Sequence, residues 1–225
     1  VAPAEQTATN RDVAQVSRKA DILDLAAGLF AQQGVDKTTV REIGAAAGIL
    51  SGSLYHYFDS KESIVAEVIT GYLGTRWDDC QRISAEITEP RARLGELLRT
   101  ELRDIAVSNA AKVVNTHSRY VLQLLPAHPR THELARNIRG VWIETIEAGI
   151  EQGTFRRDIR PEIFYALVRR TLNVAQQWVD GLSAPNHPKA LTDRFGAAAV
   201  AESWVSVLLG GFESPDGDGA PAPYA

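Results

Sequence analysis

One block constrains this chain more than any other: Thr38-Thr-Val-Arg-Glu-Ile-Gly-Ala-Ala-Ala-Gly-Ile-Leu-Ser-Gly-Ser-Leu-Tyr-His-Tyr-Phe-Asp-Ser-Lys61. It reads as two short helices joined by a tight turn at Gly48, the second opening on small polar residues and closing on aromatics. That is the layout of a helix-turn-helix, which lays the N-terminus of its second helix in a DNA major groove. The block predicts a DNA-binding regulator.

The flanking sequence is nearly all helical in pattern, with no alternating strand and no internal repeat. A first helix is expected from Ser17 to Gln33, with Ile22, Leu25, Ala26, Leu29 and Phe30 as its buried stripe and Gly34 as its stop. Thr38 is expected to cap a second helix over 39–46, Ser51 opens a third to Tyr57, and Ser60 caps a long fourth. Five further helices are expected: from Pro90, over Val113–Leu125, Arg130–Glu151, Pro161–Gly181 and Leu191–Leu209, the last ended by Gly210 and Gly211. The expected fold is all-α, about nine helices: a three-helix head over 17–62 and a helical body over 63–212. Residues 1–16 lack periodicity and read as a disordered arm, and 213–225 as a disordered Pro/Gly tail.

Composition excludes little but sharpens the electrostatics. A chain that is 44% hydrophobic has enough apolar residues for a core without staples, and the lone Cys80 rules out an internal disulfide. No apolar run approaches the ~18–20 residues of a membrane span. The opening residues lack the basic-then-apolar order of a secretory signal, so a cytoplasmic protein with no membrane partner is expected. Net charge is −4, and residues 17–62 carry five Lys/Arg against six Asp/Glu. Bulk charge therefore does not argue for nucleic acid; the case rests on where individual groups point.

Small side chains at Ser51, Gly52 and Ser53 let the helix backbone approach the bases, and serine hydroxyls suit base edges or phosphates. Leu54 and Phe58 face the head core. Tyr55, His56 and Tyr57 stand outward or sideways, with aromatic core as the alternative for the two tyrosines. Lys61 is a point charge aimed at the DNA backbone, and Thr38, Thr39 and Arg41 flank a second phosphate position. His56 has no second ligand at metal spacing. His117, His128, His132 and His187 form no catalytic pair, since Pro129 interrupts the His128–His132 spacing. With no nucleophile–base set or phosphate loop, no enzyme, metal or cofactor is expected.

Ala26-Ala27, Phe30, Gly34, Thr38-Thr39-Val40, Ile43, Ala47-Gly48, Ser51, Leu54-Tyr55-His56-Tyr57-Phe58 and Lys61-Glu62 together resemble the head of the tetracycline-repressor (TetR) family, over about residues 18–70. The resemblance implies a homodimer of nine- or ten-helix subunits binding double-stranded operator DNA. It places phosphate and base contacts on Thr39, Arg41, Ser51, Gly52, Ser53, Tyr55, His56 and Lys61. One departure is Gly44, where many members carry alanine; it weakens the second helix slightly. The run Ala47-Gly-Ile-Leu-Ser-Gly-Ser-Leu-Tyr-His is also similar to a subgroup controlling steroid and fatty-acid breakdown, whose effectors are acyl-CoA thioesters.

In the body, the last two helices are too apolar for a solvent surface. Trp178, Phe195, Val200, Trp204 and Leu208 would form half of a four-helix dimer bundle, or pack within one subunit. Arg169, Asn173 and Gln177 recur at i, i+4 and i+8 among apolar neighbours. With His117, Tyr120, Gln123, Trp77, Trp142 and Ile146 they suggest a mostly apolar cavity with polar anchors for a small-molecule effector. Arg169 would pair either with a ligand acid or phosphate or with a glutamate across the dimer; Arg136 and Arg139 are further candidates for a phosphate-bearing head. The expected function is a ligand-responsive repressor, with an effector-independent regulator or an activator as the alternative.

Overall fold

The structure is a computed structural model that describes residues 4–116, 127–179 and 195–214. Nine helices are seen among them: α1 (Ala4–Gln33), α2 (Val40–Ala46), α3 (Ser51–Leu54), α4 (Lys61–Glu86), α5 (Pro90–Val107), α6 (Asn109–Thr116), α7 (Pro129–Glu151), α8 (Pro161–Val179) and α9 (Ala197–Phe212). No sheet forms among the described residues; the one β-bridge joins Phe155 to Glu213.

Boundaries follow local chemistry. Gly34 ends α1 at φ 90°, Gly48 turns α2 into α3 at φ 66°, and Gly153 ends α7 at φ 75°, all left-handed conformations costly for other residues. Ser60 caps α4 by accepting from Ser63 N–H while the Ser63 hydroxyl is placed to accept from Ser60 N–H. Glu89 and Pro90 start α5, the Glu89 carboxylate accepting from the N–H groups of Arg91 and Ala92.

Five expectations shift. The arm expected over 1–16 is helical from Ala4; no Pro falls within residues 4–33, and the one glycine, Gly28, lies inside the helix without ending it. Leu25, expected in the buried stripe of α1, is 40% exposed and sits at the stripe's edge. The N-cap of α2 is Thr39 rather than Thr38. Gly210 and Gly211 lie inside α9 instead of ending it: Phe212, beyond them, stacks on Phe164 at 3.5 Å, and that packing outweighs two glycines' propensity cost. Of the expected tail, Glu213 and Ser214 are held: Ser214 N–H donates to Thr154 O, and Glu213 pairs with Arg91. The remainder, 215–225, and the second half of the helix expected to Leu125 lie outside the described residues.

One apolar core runs through the molecule. Ile22, Ala26, Phe30, Ile43, Leu54 and Phe58 fill the head and meet Ile64 and Val65 at the start of α4. The same cluster continues down α4 through Ile69, Leu73, Cys80 and Ile83 to Leu97, Leu98, Trp142 and Ile146 in the body. α4 packs on α7, α1, α6 and α5, and α1 packs on α6 as well as α4. α4 thus joins the apolar packing of the body to that of the head.

Candidate DNA-reading face and effector site

The head builds a reading surface from a small rigid unit. α2 and α3 approach closely at Gly44, where a Cβ would lie 3.1 Å from Ile49 O and 3.4 Å from Ser51 Cα. This accounts for the glycine in the second helix. Leu54 and Phe58 face inward, at 1% and 4% exposure, which turns the opposite side of α3 outward. On that side Gly52 and His56 are exposed, Ser51 and Ser53 are half-buried, and Tyr55 is 58% exposed. Tyr57 takes the other alternative and packs against the core beside Phe58, with ring centroids 6.4 Å apart.

Thr39 and Arg41 are exposed at the N-terminus of α2. Thr39 closes a capping box: its hydroxyl accepts from Glu42 N–H at 3.2 Å, and its own N–H donates to Glu42 Oε2 at 2.7 Å. These bonds, the backbone one foremost, hold the Glu42 carboxyl below its ordinary value.

Two residues expected on the DNA have internal work. Thr38 is 1% exposed, and its hydroxyl donates to Gly34 O at 2.8 Å, locking the turn after α1. Lys61 Nζ donates to Val35 O at 3.0 Å and Thr38 O at 3.2 Å, so the ammonium closes the same turn from below. Arg18 donates to Ala47 O at the end of α2, and Lys19 pairs with Glu67 at 2.7 Å and lies over the Phe58 ring at 5.1 Å. Three of the head's five basic side chains thus hold the head together. Lys37 and Arg41 are the exposed ones.

The body contains a buried charge cluster that the sequence reading missed. Arg76 on α4 is 1% exposed; its Nε donates to Glu101 at 3.3 Å and its Nη1 to Asp79 at 3.0 Å and Asp104 at 3.2 Å. Glu101, 3% exposed, also pairs with Arg169 of α8 at 3.5 Å. The cluster ties α4, α5 and α8. Burial by itself would lower the Arg76 pKa, but Glu101, Tyr72 and Asp104 carry it upward, so the guanidinium stays charged. Burial pushes the Tyr72 hydroxyl well up, Glu101 adding to it, and raises Asp104 against the pull of Arg76. Desolvation of buried charges offsets much of their mutual attraction, so a fully paired cluster adds little net stability, whereas removing one partner is costly. A signal was available: Arg76 falls four residues after Tyr72 and four before Cys80, and Glu101 four after Leu97 and four before Ile105, both on the apolar stripe.

Four buried polar atoms have no hydrogen-bond partner among the described residues: Tyr72 Oη, Arg76 Nη2, Asn115 Oδ1 and Asn173 Oδ1. They come from α4, α6 and α8 and offer donors and acceptors together. Each such atom costs about 1–3 kcal/mol if left unmatched. A crevice of about 380 Å³ between α1, α4 and the α5–α6 junction reaches the cluster at Tyr72 and Asp104.

The expected effector residues divide. Asn173 is among the unmatched atoms. Arg169 takes neither expected partner, pairing with Glu101 of its own chain. Trp142 and Ile146 are core, the indole edge-on to Tyr165 at 6.2 Å, and Trp77 is half-buried against that core. Arg136 is exposed, and Arg139 lies over the Tyr165 ring at 5.8 Å. His117, Tyr120 and Gln123, and the side chains of Gln177 and Trp178, lie outside what is described. Of the expected dimer residues, Phe195 is 55% exposed, while Val200, Trp204 and Leu208 are half-buried. Ile163, Leu167 and Val207 are also exposed, at 53%, 49% and 75%. A groove of about 330 Å³ between α5, α8 and α9 is walled by Leu102, Val107, Ala175, Ala201 and Trp204. No helix among the described residues is long and apolar enough to cross a membrane.

Residues 22–68 match the model of the bacterial regulatory proteins, tetR family. The chain is 37% identical over 200 residues to the HTH-type transcriptional repressor KstR2 of Rhodococcus jostii, covering 88% of this chain and 92% of that one. It superimposes on the ketosteroid transcriptional regulator KstR2 of Mycobacterium tuberculosis with a TM-score of 0.69 at 31% identity, over 87% and 95% of the two chains. A third similar structure, AibR in complex with isovaleryl coenzyme A and operator DNA, gives a TM-score of 0.67 at 19% identity over 85% and 98%.

Proposed function

The chain belongs to the tetR family of bacterial regulatory proteins and is a ligand-responsive DNA-binding transcriptional repressor; from that premise we propose how it reads DNA and what releases it. Thr39, Arg41, Ser51, Gly52, Ser53, Tyr55 and His56 meet the operator. Thr38 and Lys61 set the angle between α1 and α2 from inside. Two copies pair through α8 and α9, whose exposed Ile163, Leu167 and Val207 favour such burial, and read half-sites about 34 Å apart. The head covers 17–62 and the body 63–212, and the protein works in the cytoplasm. The relatives are transcriptional regulators.

The effector occupies the body against Tyr72, Arg76, Asn115 and Asn173, and we assign it to the acyl-CoA thioesters. Support comes from AibR, whose fold is shared and whose complex holds such a thioester, and from the mixed apolar and polar lining. The observation that carries the mechanism is α4: one helix bears Lys61 under the head and Arg76 in the buried cluster. Fifteen residues separate them, about 22 Å of helix, so a tilt of about 5° at Arg76 moves Lys61 by about 2 Å. A ligand that repartners Arg76 shifts the two heads off the half-site spacing, and a coupling of ~1–3 kcal/mol suffices to release DNA.

Fluorescence anisotropy on the DNA upstream of the protein's own gene, with a panel of acyl-CoA thioesters, tests this. The expected result is tight, salt-sensitive binding weakened at least fivefold by one thioester in the wild type, and not in Arg76→Lys. Binding that no thioester disturbs keeps the repressor and discards the effector class.

A further inference from the structure

We propose that Leu50 reads the methyl group of a thymine in the operator major groove, as a specificity-determining side chain outside the polar set. The inference rests on the DNA-binding reading above. Leu50 is the N-cap residue of α3, with extended backbone at φ −67° and ψ 145°. The N-cap position favours Ser, Thr, Asp or Asn, whose oxygen accepts from the first free N–H groups of the helix. In this same head, Thr39 caps α2 and Ser60 caps α4 in that way. Leu50 cannot, and α3 has no side-chain cap. Packing does not explain the choice either. Leu54, Phe58 and Ile43 fill the core beneath, while Leu50 is 80% exposed, more than any other large apolar side chain described.

A lone exposed leucine is ordinary on a protein surface. Its place here is not. It stands at the mouth of the reading helix, before Ser51 and Gly52, and a Cβ built at Gly52 would meet nothing within 4 Å. Docking that N-terminus in the groove brings residue 50 to the base edges. Every polar atom there demands a donor or acceptor, which leucine lacks. The C5-methyl of thymine is the apolar group the major groove offers, and a branched aliphatic side chain fits it. The chain thus gives up a cap at α3 and gains an apolar reader.

The test uses the full-length wild-type protein and an operator selected by it from random duplex DNA. Each thymine is replaced in turn by deoxyuridine, which keeps base pairing and the O4 acceptor and removes only the methyl. One thymine per half-site is expected to matter, affinity falling about fourfold for one half-site and on the order of 15-fold for both. Leu50→Ala, whose melting temperature should be unchanged because the residue is exposed, is expected to bind dT and dU operators equally. Leu50→Ser should do the same while restoring a cap. The proposal is overturned if no thymine methyl affects wild-type binding, or if Leu50→Ala keeps the full deoxyuridine penalty. Failure to select any operator overturns the DNA-binding reading itself, and this inference with it.

Discussion

Replacing Gly149 by alanine should destabilise the body, although alanine is the better helix former. Gly149 lies in the last turns of α7, where propensity alone would favour alanine by about 1 kcal/mol. A Cβ there would sit 2.1 Å from Cδ2 and 2.3 Å from Cε2 of Phe155. Carbon contacts are comfortable at about 3.5–4.0 Å, so the ring would have to move by more than an ångström. It has nowhere to go. Phe155 is fully buried and stands edge-on to Phe164 at 5.6 Å, and Phe164 stacks on Phe212 at 3.5 Å. Its backbone is pinned too, since the N–H groups of Thr154 and Phe155 both donate to Gly149 O, at 2.9 and 3.0 Å. Overpacking of such a site costs ~1–3 kcal/mol, and complete expulsion of the ring up to ~3–5 kcal/mol. After the propensity gain of about 1 kcal/mol, a net loss of up to about 2 kcal/mol remains if the ring shifts and about 2–4 kcal/mol if it is expelled, each kcal/mol lowering Tm by roughly 2–4 °C for a chain of this size. Thermal unfolding by far-UV circular dichroism, at one fixed protein concentration, measures it. Gly140→Ala is the control: same helix, nothing within 4 Å of the added carbon, and an expected gain of ~0.5–1 kcal/mol. A Gly149→Ala protein that melts at or above the wild type would refute the packing argument. Equal losses for both variants would place the cause in the helix rather than in Phe155.

Four groups whose environment the fold sets give further expected outcomes. Lys61→Met should lower Tm, because Val35 O and Thr38 O lose their donor, while leaving the slope of log K against log salt unchanged; a slope shallower by about 1 would show a phosphate contact instead. With Lys37 and Arg41 as the exposed head cations, that slope should be only about −4 for a dimer. The Glu42 carboxyl is depressed in the fold, so the stability it adds is present above its unfolded pKa and lost as pH falls through the lower folded value; by NMR titration it should move upward in Thr39→Ala, and an unmoved Glu42 would break the link to the cap. Burial pushes the Cys80 thiol up to about 12, so native protein at pH 8 should not react with a thiol reagent until it is unfolded, and rapid labelling of the native state would contradict the buried site.

The head was legible in the sequence because its signals are local. Gly34 and Gly48 need their left-handed conformations whatever surrounds them, and the block from Thr38 to Lys61 states its own turn, helix and inward faces within 24 residues. Cap and proline signals likewise placed the starts of α4, α5 and α8, and periodicity placed α7 to within a residue at both ends. What only the tertiary structure decided is which polar groups are turned inward. Thr38 and Thr39 are adjacent and chemically identical, yet one is locked under Gly34 O and the other exposed as a cap, a difference set by how α1 docks on the head. Lys61 is a cation in the sequence and a clamp on two carbonyls in the fold. Arg76 and Glu101 lie 25 residues apart, each an odd charge in an apolar stripe, and only the packing of α4 on α5 makes them partners. Helix propensity could not foresee that α9 would run through two glycines, because the compensating contact comes from Phe164, some fifty residues earlier in the chain. Local conformation is encoded in neighbouring residues. Charge partnership and burial are encoded in pairs that the chain brings together only on folding.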